Sequence, residues 1–419
     1  LVAEAAPKRR RSHRQKRATP SKLPRVPFVL APAEPARAKF LPIDMDYVVG
    51  VMLRLLAIPS PSGRTDHIMQ VLGEEVAALG MPFDLTRRGA LRAELEGEDT
   101  RAADRAVVVH ADTVGAMVKR LKENGRLEVV PIGTHNARFA EGARVTIFLD
   151  DLEHPRTGTI LPLKASGHRW GDEVDTQPAG WEHVEIRVDE QVDGAASLAE
   201  LGFNVGDFVA FDAAPVVTPT GYVKSRHLDD KAGIAAALGA FKAIIDHGVT
   251  LPVNAHLLIT IAEELGLGAS HGLDADVAEM VSIDISVVAP GQASTEHTVN
   301  IAAQDSSGPF DYHLVRRLAG LCRHHGIDHR RDVYGFYRSD AASALEAGAE
   351  TRAALIGFGI DASHGHERTH VDGIRRVAEL LAVYLQTDLT FRRWDTAPAG
   401  HLEDFPSTLV QPADDQGPR

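Results

Sequence analysis

Five stretches of the 419-residue chain carry side chains able to hold a divalent cation. His110-Ala-Asp112 closes the apolar run of residues 106–109, at the end of a strand, where open α/β sheets place their ligand-binding groups. An imidazole that binds a metal needs its other ring nitrogen fixed by an acceptor. A carboxylate two residues along an extended backbone lies on the same side and can supply that contact. His227-Leu-Asp229-Asp230-Lys-Ala-Gly233 opens an Ala-rich helix. Aspartate there either caps the helix or bridges two cations, one oxygen to each. Glu263-Glu264 follows the apolar run ending at Ala262. Adjacent carboxylates in a closed cleft repel unless a cation compensates, and neighbouring side chains point apart, so one can bind metal while the other faces substrate as a base. The same divergence excludes the facing carboxylates of a glycosidase. Asp284 interrupts the apolar run 281–288, where a charge is costly unless paired or coordinated. His364 follows the strand-like run 353–358, with His366 and His370 beside it.

Taken singly, each has an ordinary reading: a surface pair, a helix cap, an acidic turn, an ion-pair partner, a solvated loop histidine. Together they fall at the ends or edges of core elements in one α/β unit. Nitrogen and carboxylate donors suit zinc, with cobalt or manganese as alternatives, and a shared aspartate holds two ions roughly 3.5–4 Å apart. Cys322 is the only cysteine, so neither an intrachain disulfide nor a thiolate metal site of several cysteines is available, which fits a reducing cytoplasm.

The elements that must position these groups can be read from periodicity. Helical spacing covers residues 46–57 and 65–79, and residues 59–63 (Pro-Ser-Pro-Ser-Gly) stop the first helix. Residues 106–109 read as a buried central strand. From about 119 to 217 short β-branched runs punctuated by Gly and Pro, at 127–132, 143–149, 158–163, 183–188 and 207–211, predict a small all-β unit. Alternation then resumes: helix 227–245, strands 254–261 and 280–288, helix 310–325, strand 353–358 and helix 372–386. The expected organisation is an α/β core in two parts, 41–118 and 218–393, split by a β insert at 119–217 and flanked by disordered tails at 1–40 and 394–419.

The formal charge of −13 hides an asymmetry, because residues 1–40 carry +9 and the remainder −22. The basic cluster of residues 8–17 lacks interleaved aromatics, so a solvated tail is expected in preference to a nucleic-acid partner. It resembles no secretory signal, since no apolar region follows the charges, and part of it reads as a mis-assigned translation start. No apolar run approaches the roughly 20 residues that span a bilayer, so a soluble protein without a membrane partner is expected.

The ordered set resembles one family, the tetrahedral or deblocking dinuclear metallo-aminopeptidases, also called glutamyl aminopeptidases and sometimes labelled endoglucanases. His110-Ala-Asp-Thr-Val-Gly115 with Met117-Val-Lys is similar to their His-x-Asp-x-x-Gly-x-Met-Val-Lys. Leu228-Asp-Asp-Lys-Ala-Gly233 resembles Leu-Asp-Asp-Arg-x-Gly, Glu263-Glu264 the Glu-Glu pair, and Ile283-Asp284-Ile-Ser the Ile-Asp-Val-Thr. The resemblance covers residues 45–389. It implies a mixed-sheet, zinc-peptidase-like core with an inserted β-barrel used for dimerisation, and dimers assembling into a dodecamer. It also implies two metal ions, with His110 and Asp284 on one, Glu264 and His364 on the other, Asp229 bridging, Asp112 orienting His110, and Glu263 as the base. The implied reaction is release of N-terminal residues from short peptides, Glu263 taking a proton from water and returning it to the leaving amine. The family's His-Ser-Pro-x-Glu is here His364-Gly-His-Glu-Arg-Thr-His370, which makes His370 a second candidate for the last ligand. This variant resembles the branch found with N-acetylglutaminylglutamine amide synthesis. The alternative is therefore a deacylase, amidohydrolase or carboxypeptidase of the same clan acting on a blocked, dipeptide-like osmolyte.

Overall fold

Residues 106–109 are apolar without alternation, the pattern of a strand covered on both faces. In the computed structural model, which describes residues 38–100, 103–151 and 154–390, they lie inside the strand Asp104–His110. Ala255–Thr260 and Val277–Val287 flank it, both parallel, and Arg352–Ile360 continues the parallel block beyond Val277–Val287. Antiparallel Leu91–Leu95 and Val299–Asp305 border this block in a nine-stranded mixed sheet. The expected tails of residues 1–40 and 394–419 lie outside the described residues, apart from the last few of the first.

The covering helices follow their apolar spacing. Met45–Leu56 buries Val48, Val51, Met52, Leu55 and Leu56, and Asp44 caps it by accepting the Tyr47 N–H at 3.0 Å. It packs on Leu228–Asp246, which packs in turn on Val371–Leu385. Leu228–Asp246 is buried on nearly every side because its middle is alanine and glycine. A Cβ on Gly239 would come within 2.5 Å of Val48 Cγ2, so glycine sets how closely the two helices approach.

A closed barrel of six antiparallel strands, running from Gly115–Leu121 to Phe208–Phe211, carries its own core, including Val118, Leu127, Val145, Ile147, Ile160, Ile186 and Val209. The opening strand Gly115–Leu121 follows Asp104–His110 after a connection of four residues and closes the barrel against Phe208–Phe211. A small sheet of Val216–Val217, Tyr222–Ser225 and Glu367–His370 follows. Three core elements carry no signal in the periodicity. His329–Val333 is an edge strand of mostly polar residues, Asp340–Glu346 is a seven-residue helix, and Val299–Asp305 holds only Val299 and Ile301 as large apolar residues.

Among the described residues no helix is long and apolar enough to cross a membrane.

Candidate metal centre

The parallel register brings the strand ends together. Thr260 pairs with His110, so the turn Glu263–Leu265 emerges beside the imidazole. Ser282 pairs with Val108, which sets Asp284 level with His110 on the next strand and on the same face. Gly357 lies opposite Asp284, and a Cβ there would come within 2.2 Å of the Asp284 carbonyl oxygen. Asp229 precedes the regular part of its helix, with extended ψ of 107°, and is joined to Asp230 by a cis peptide. His364 sits at φ 61° in the turn between Arg352–Ile360 and Glu367–His370.

Two groups of ligand atoms result, each with all atoms within 4.8 Å of one another: His110, Asp229 and Asp284, then Asp229, Glu264 and His364. Asp229 belongs to both. His110 Nε2 lies 3.1 Å from Asp229 Oδ1, whereas His364 Nε2 lies 3.3 Å from Asp229 Oδ2 and 3.3 Å from Glu264 Oε2. One aspartate oxygen therefore faces each group. Glu263 belongs to neither, and its Oε2 stands 3.9 Å from His110 Nε2.

The surrounding hydrogen bonds fix tautomers and turns. His110 Nδ1 bonds the Asp112 main-chain carbonyl at 3.0 Å, while the Asp112 carboxylate is 3.7 Å away. The acceptor on His110 is thus the backbone of Asp112 and not the side chain expected from spacing. The carboxylate instead takes the N–H groups of Glu263 (3.0 Å) and Glu264 (3.3 Å) and the Ser62 hydroxyl (2.5 Å). His364 Nδ1 bonds the Thr134 carbonyl at 2.9 Å. Both imidazoles consequently turn Nε2 to the site, the arrangement that metal-ligating histidines take. Glu264 Oε1 accepts the Val114 N–H at 3.1 Å, leaving Oε2 for His364.

The carboxylates of Asp229, Glu263, Glu264 and Asp284 are wholly or largely withdrawn from solvent, and the imidazoles of His110 and His364 stand among them. Burial and mutual repulsion raise the Asp284 and Glu263 carboxyls well above their usual range and push Glu264 up to about 7. Burial opposes charge on the imidazoles, yet Glu264 and Asp229 raise His364 to about 10, and Asp229 and Glu263 raise His110 well above its usual value. Asp229 itself is held low by its two imidazoles, against burial. Protons thus balance an excess of negative charge that cations would balance better. The donor set of imidazole nitrogen and carboxylate oxygen fits divalent transition metals, and binding would release those protons.

Several residues that matter here had no signal in the sequence. Glu367 is buried and accepts the N–H of His364 at 2.9 Å and of Asp229 at 3.2 Å. Ser62 comes from the segment that stops the first helix. Asp340 accepts from Thr260 Oγ1 (2.6 Å) and the Ala269 N–H (2.7 Å), bracing the loop behind the two glutamates. His370 is not at the centre. Its Nε2 bonds the Thr220 carbonyl at 2.8 Å and its Nδ1 accepts the Asp372 N–H at 3.1 Å as the cap of the last helix, although His297 and Asp372 stand near it. Lys231, where the family pattern has arginine, is buried on the Ile58 carbonyl at 2.6 Å.

A cleft of about 920 Å³ opens onto the ligand atoms. Asp229, Glu263, Glu264, Asp284 and His364 line it together with the segment Tyr334, Phe336, Tyr337 and Arg338.

Residues 89–380 match the family model described as M42 glutamyl aminopeptidase. The chain is 38% identical to the Bacillus subtilis protein named as aminopeptidase YhfE over 335 residues, 80% of this chain and 96% of that one. Its fold is shared with an aminopeptidase of the archaeon Desulfurococcus kamchatkensis (TM-score 0.75, 19% identity, 85% of this chain and 99% of that chain). It is shared also with the Pyrococcus horikoshii TET1 peptidase, described as assembling into a tetrahedron or a large octahedral shell (TM-score 0.70, 21% identity, 81% and 99%).

Proposed function

The chain belongs to the M42 glutamyl aminopeptidase family and is a metal-dependent aminopeptidase, and on that premise we propose that His110, Asp229 and Asp284 hold one divalent ion and Asp229, Glu264 and His364 a second. Zinc suits this donor set first, with cobalt or manganese as alternatives. The observation that carries the reading is the single aspartate whose two oxygens face two separate ligand groups. Bound there, two cations would polarise the peptide carbonyl and make water more acidic.

The remaining work falls to this chain's side chains. Glu263 stands beside the ligands without joining either group, and its carboxylate takes the proton from the attacking water. As the C–N bond breaks, it delivers that proton to the departing amine. Asp112 positions Glu263 and Glu264 through their N–H groups and His110 through its own carbonyl. The cleft volume suits a short peptide.

The assembly is a homo-oligomer in which residues 119–217 form the dimerisation insert between the two parts of the core, with dimers building toward twelve copies; the description of the Pyrococcus horikoshii TET1 peptidase as assembling into a tetrahedron or a large octahedral shell supports an assembly of many copies. The protein works in the cytoplasm.

The decisive experiment digests a panel of free-amine, N-acetylated and C-terminally extended peptides with metal-reconstituted protein, read by mass spectrometry. Stepwise loss from free N-termini is expected. Cleavage confined to acylated peptides or to C-termini would overturn the reading and install the deacylase or carboxypeptidase alternative.

A further inference from the structure

The Tyr337 hydroxyl is buried and, among the described residues, makes no hydrogen bond. An orphaned phenol in a protein interior is unfavourable and needs a reason. Packing does not supply one, because phenylalanine would fill the same space. The ring lies against the core and meets Tyr334 edge-on at 5.3 Å between centroids, and its main-chain carbonyl accepts the Ser306 N–H at 2.9 Å. Two residues on, Ser339 caps the helix Asp340–Glu346, and Asp340 is anchored on Thr260. The backbone at Tyr337 is therefore fixed, while its hydroxyl is left without a partner. Tyr334 makes the contrast: its hydroxyl bonds Ser294 Oγ at 2.7 Å.

Tyr337 lines the cleft together with Asp284 and Glu263. The carboxylates of Asp284, Asp229 and Glu263 line the same cleft, and a phenol with its ordinary pKa of about 10 is protonated at neutral pH and acts as a donor. It bonds none of those carboxylates, two of which are needed as ligands and one as base. A bound peptide brings ammonium and amide N–H groups, which seek acceptors, and carbonyl oxygens, which seek donors. At the N-terminal end of a peptide, the groups that accept from a phenolic O–H are the carbonyl oxygens.

We propose that Tyr337 is a further catalytic residue of the aminopeptidase, its O–H donating to the oxygen of the scissile carbonyl. This rests on the reading of the cleft as a peptidase site. As the water oxygen bonds to the carbonyl carbon, the C=O π pair moves onto that oxygen, and the Tyr337 hydrogen bond strengthens as its charge grows. The phenol keeps its proton throughout. The tetrahedral centre then collapses, the C–N bond pair leaves with nitrogen, and the nitrogen is protonated by Glu263.

The test compares holo Tyr337→Phe with the holo wild type. Removing a donor to a developing oxyanion costs about 10²–10³ in kcat, with KM changed only a few-fold. Affinity for a phosphinic peptide mimicking the tetrahedral centre should fall by the same factor as kcat/KM, and affinity for the free amino-acid product should hold. The melting temperature should be unchanged or higher, because the lost hydroxyl has no partner. A kcat within three-fold of wild type, a loss confined to KM, or loss of metal or fold in the variant each overturns the proposal. If the wild type itself releases no N-terminal residues, the functional reading fails first, and the two failures are told apart.

Discussion

Glu367 accepts the main-chain N–H of Asp229 through one oxygen and that of His364 through the other. Asp229 and His364 come from elements far apart in the chain, and one buried carboxylate sets the separation of their backbones. Burial and the neighbouring Asp229 push the Glu367 carboxyl up to about 8. Replacing it with alanine leaves two buried N–H groups unpaired and frees the turn at His364. Metal affinity should fall about 10–100-fold, in line with loss of other residues that support ligands. Competitive chelator titration measures it, and an unchanged affinity in Glu367→Ala would remove Glu367 from the centre.

Glu263→Gln should retain both ions, since Glu263 belongs to neither ligand group. Glutamine cannot carry the proton, so activity should drop on the order of 10²–10⁴. Metal content by elemental analysis and turnover on an aminoacyl substrate decide this together. Full activity would move the base elsewhere.

Asp229→Ala removes a ligand from both groups at once, so both ions should be lost, with a lower melting temperature in metal-containing buffer. At a free-metal concentration of 100 times Kd, one ion stabilises by about 2.7 kcal/mol. Two ions still bound per chain after dialysis would show that Asp229 does not bridge.

The barrel offers a pH test independent of the metals. Glu185 is buried with Lys122 Nζ at 2.6 Å and Arg126 also bonded to it. Burial alone would raise its carboxyl, but those two cations hold it below the usual range. The folded value being depressed, its stabilisation is complete above the unfolded carboxyl pKa of about 4.3 and is lost as pH falls through the folded value. Glu185→Gln should cost about 1–3 kcal/mol at pH 7, less than a fully enclosed pair because Arg126 is partly exposed. The gap in melting temperature between wild type and variant should close below pH about 4, and a gap constant from pH 7 to 3 would contradict this account.

The helices and central strands were legible because buried elements impose simple patterns. Residues 106–109 had to be a strand covered on both faces, and the spacing of Val48, Val51, Met52 and Leu55 had to be a helix. The candidate ligands were legible for a related reason. A carboxylate inside an apolar strand, as at Asp284, and paired glutamates at a strand end are too costly to be incidental. The edge strand His329–Val333 escaped notice because a strand with one open side needs no apolar pattern, and Asp340–Glu346 because seven residues scarcely complete two turns.

What the chain's own letters determined was therefore the kind of chemistry and its order: imidazole and carboxylate at the ends of successive core strands. Tertiary structure alone decided how they are shared. That one oxygen of Asp229 faces His110 and the other His364 depends on the angle between a helix start and a left-handed turn some 135 residues away. It decided too that the backbone of Asp112, and not its side chain, fixes His110, and that Glu367 and Tyr337 enter the site at all. Residue type sets what a group can donate or accept. Its distance from another group is the sum of every turn and packing contact between them, and no local pattern records that sum.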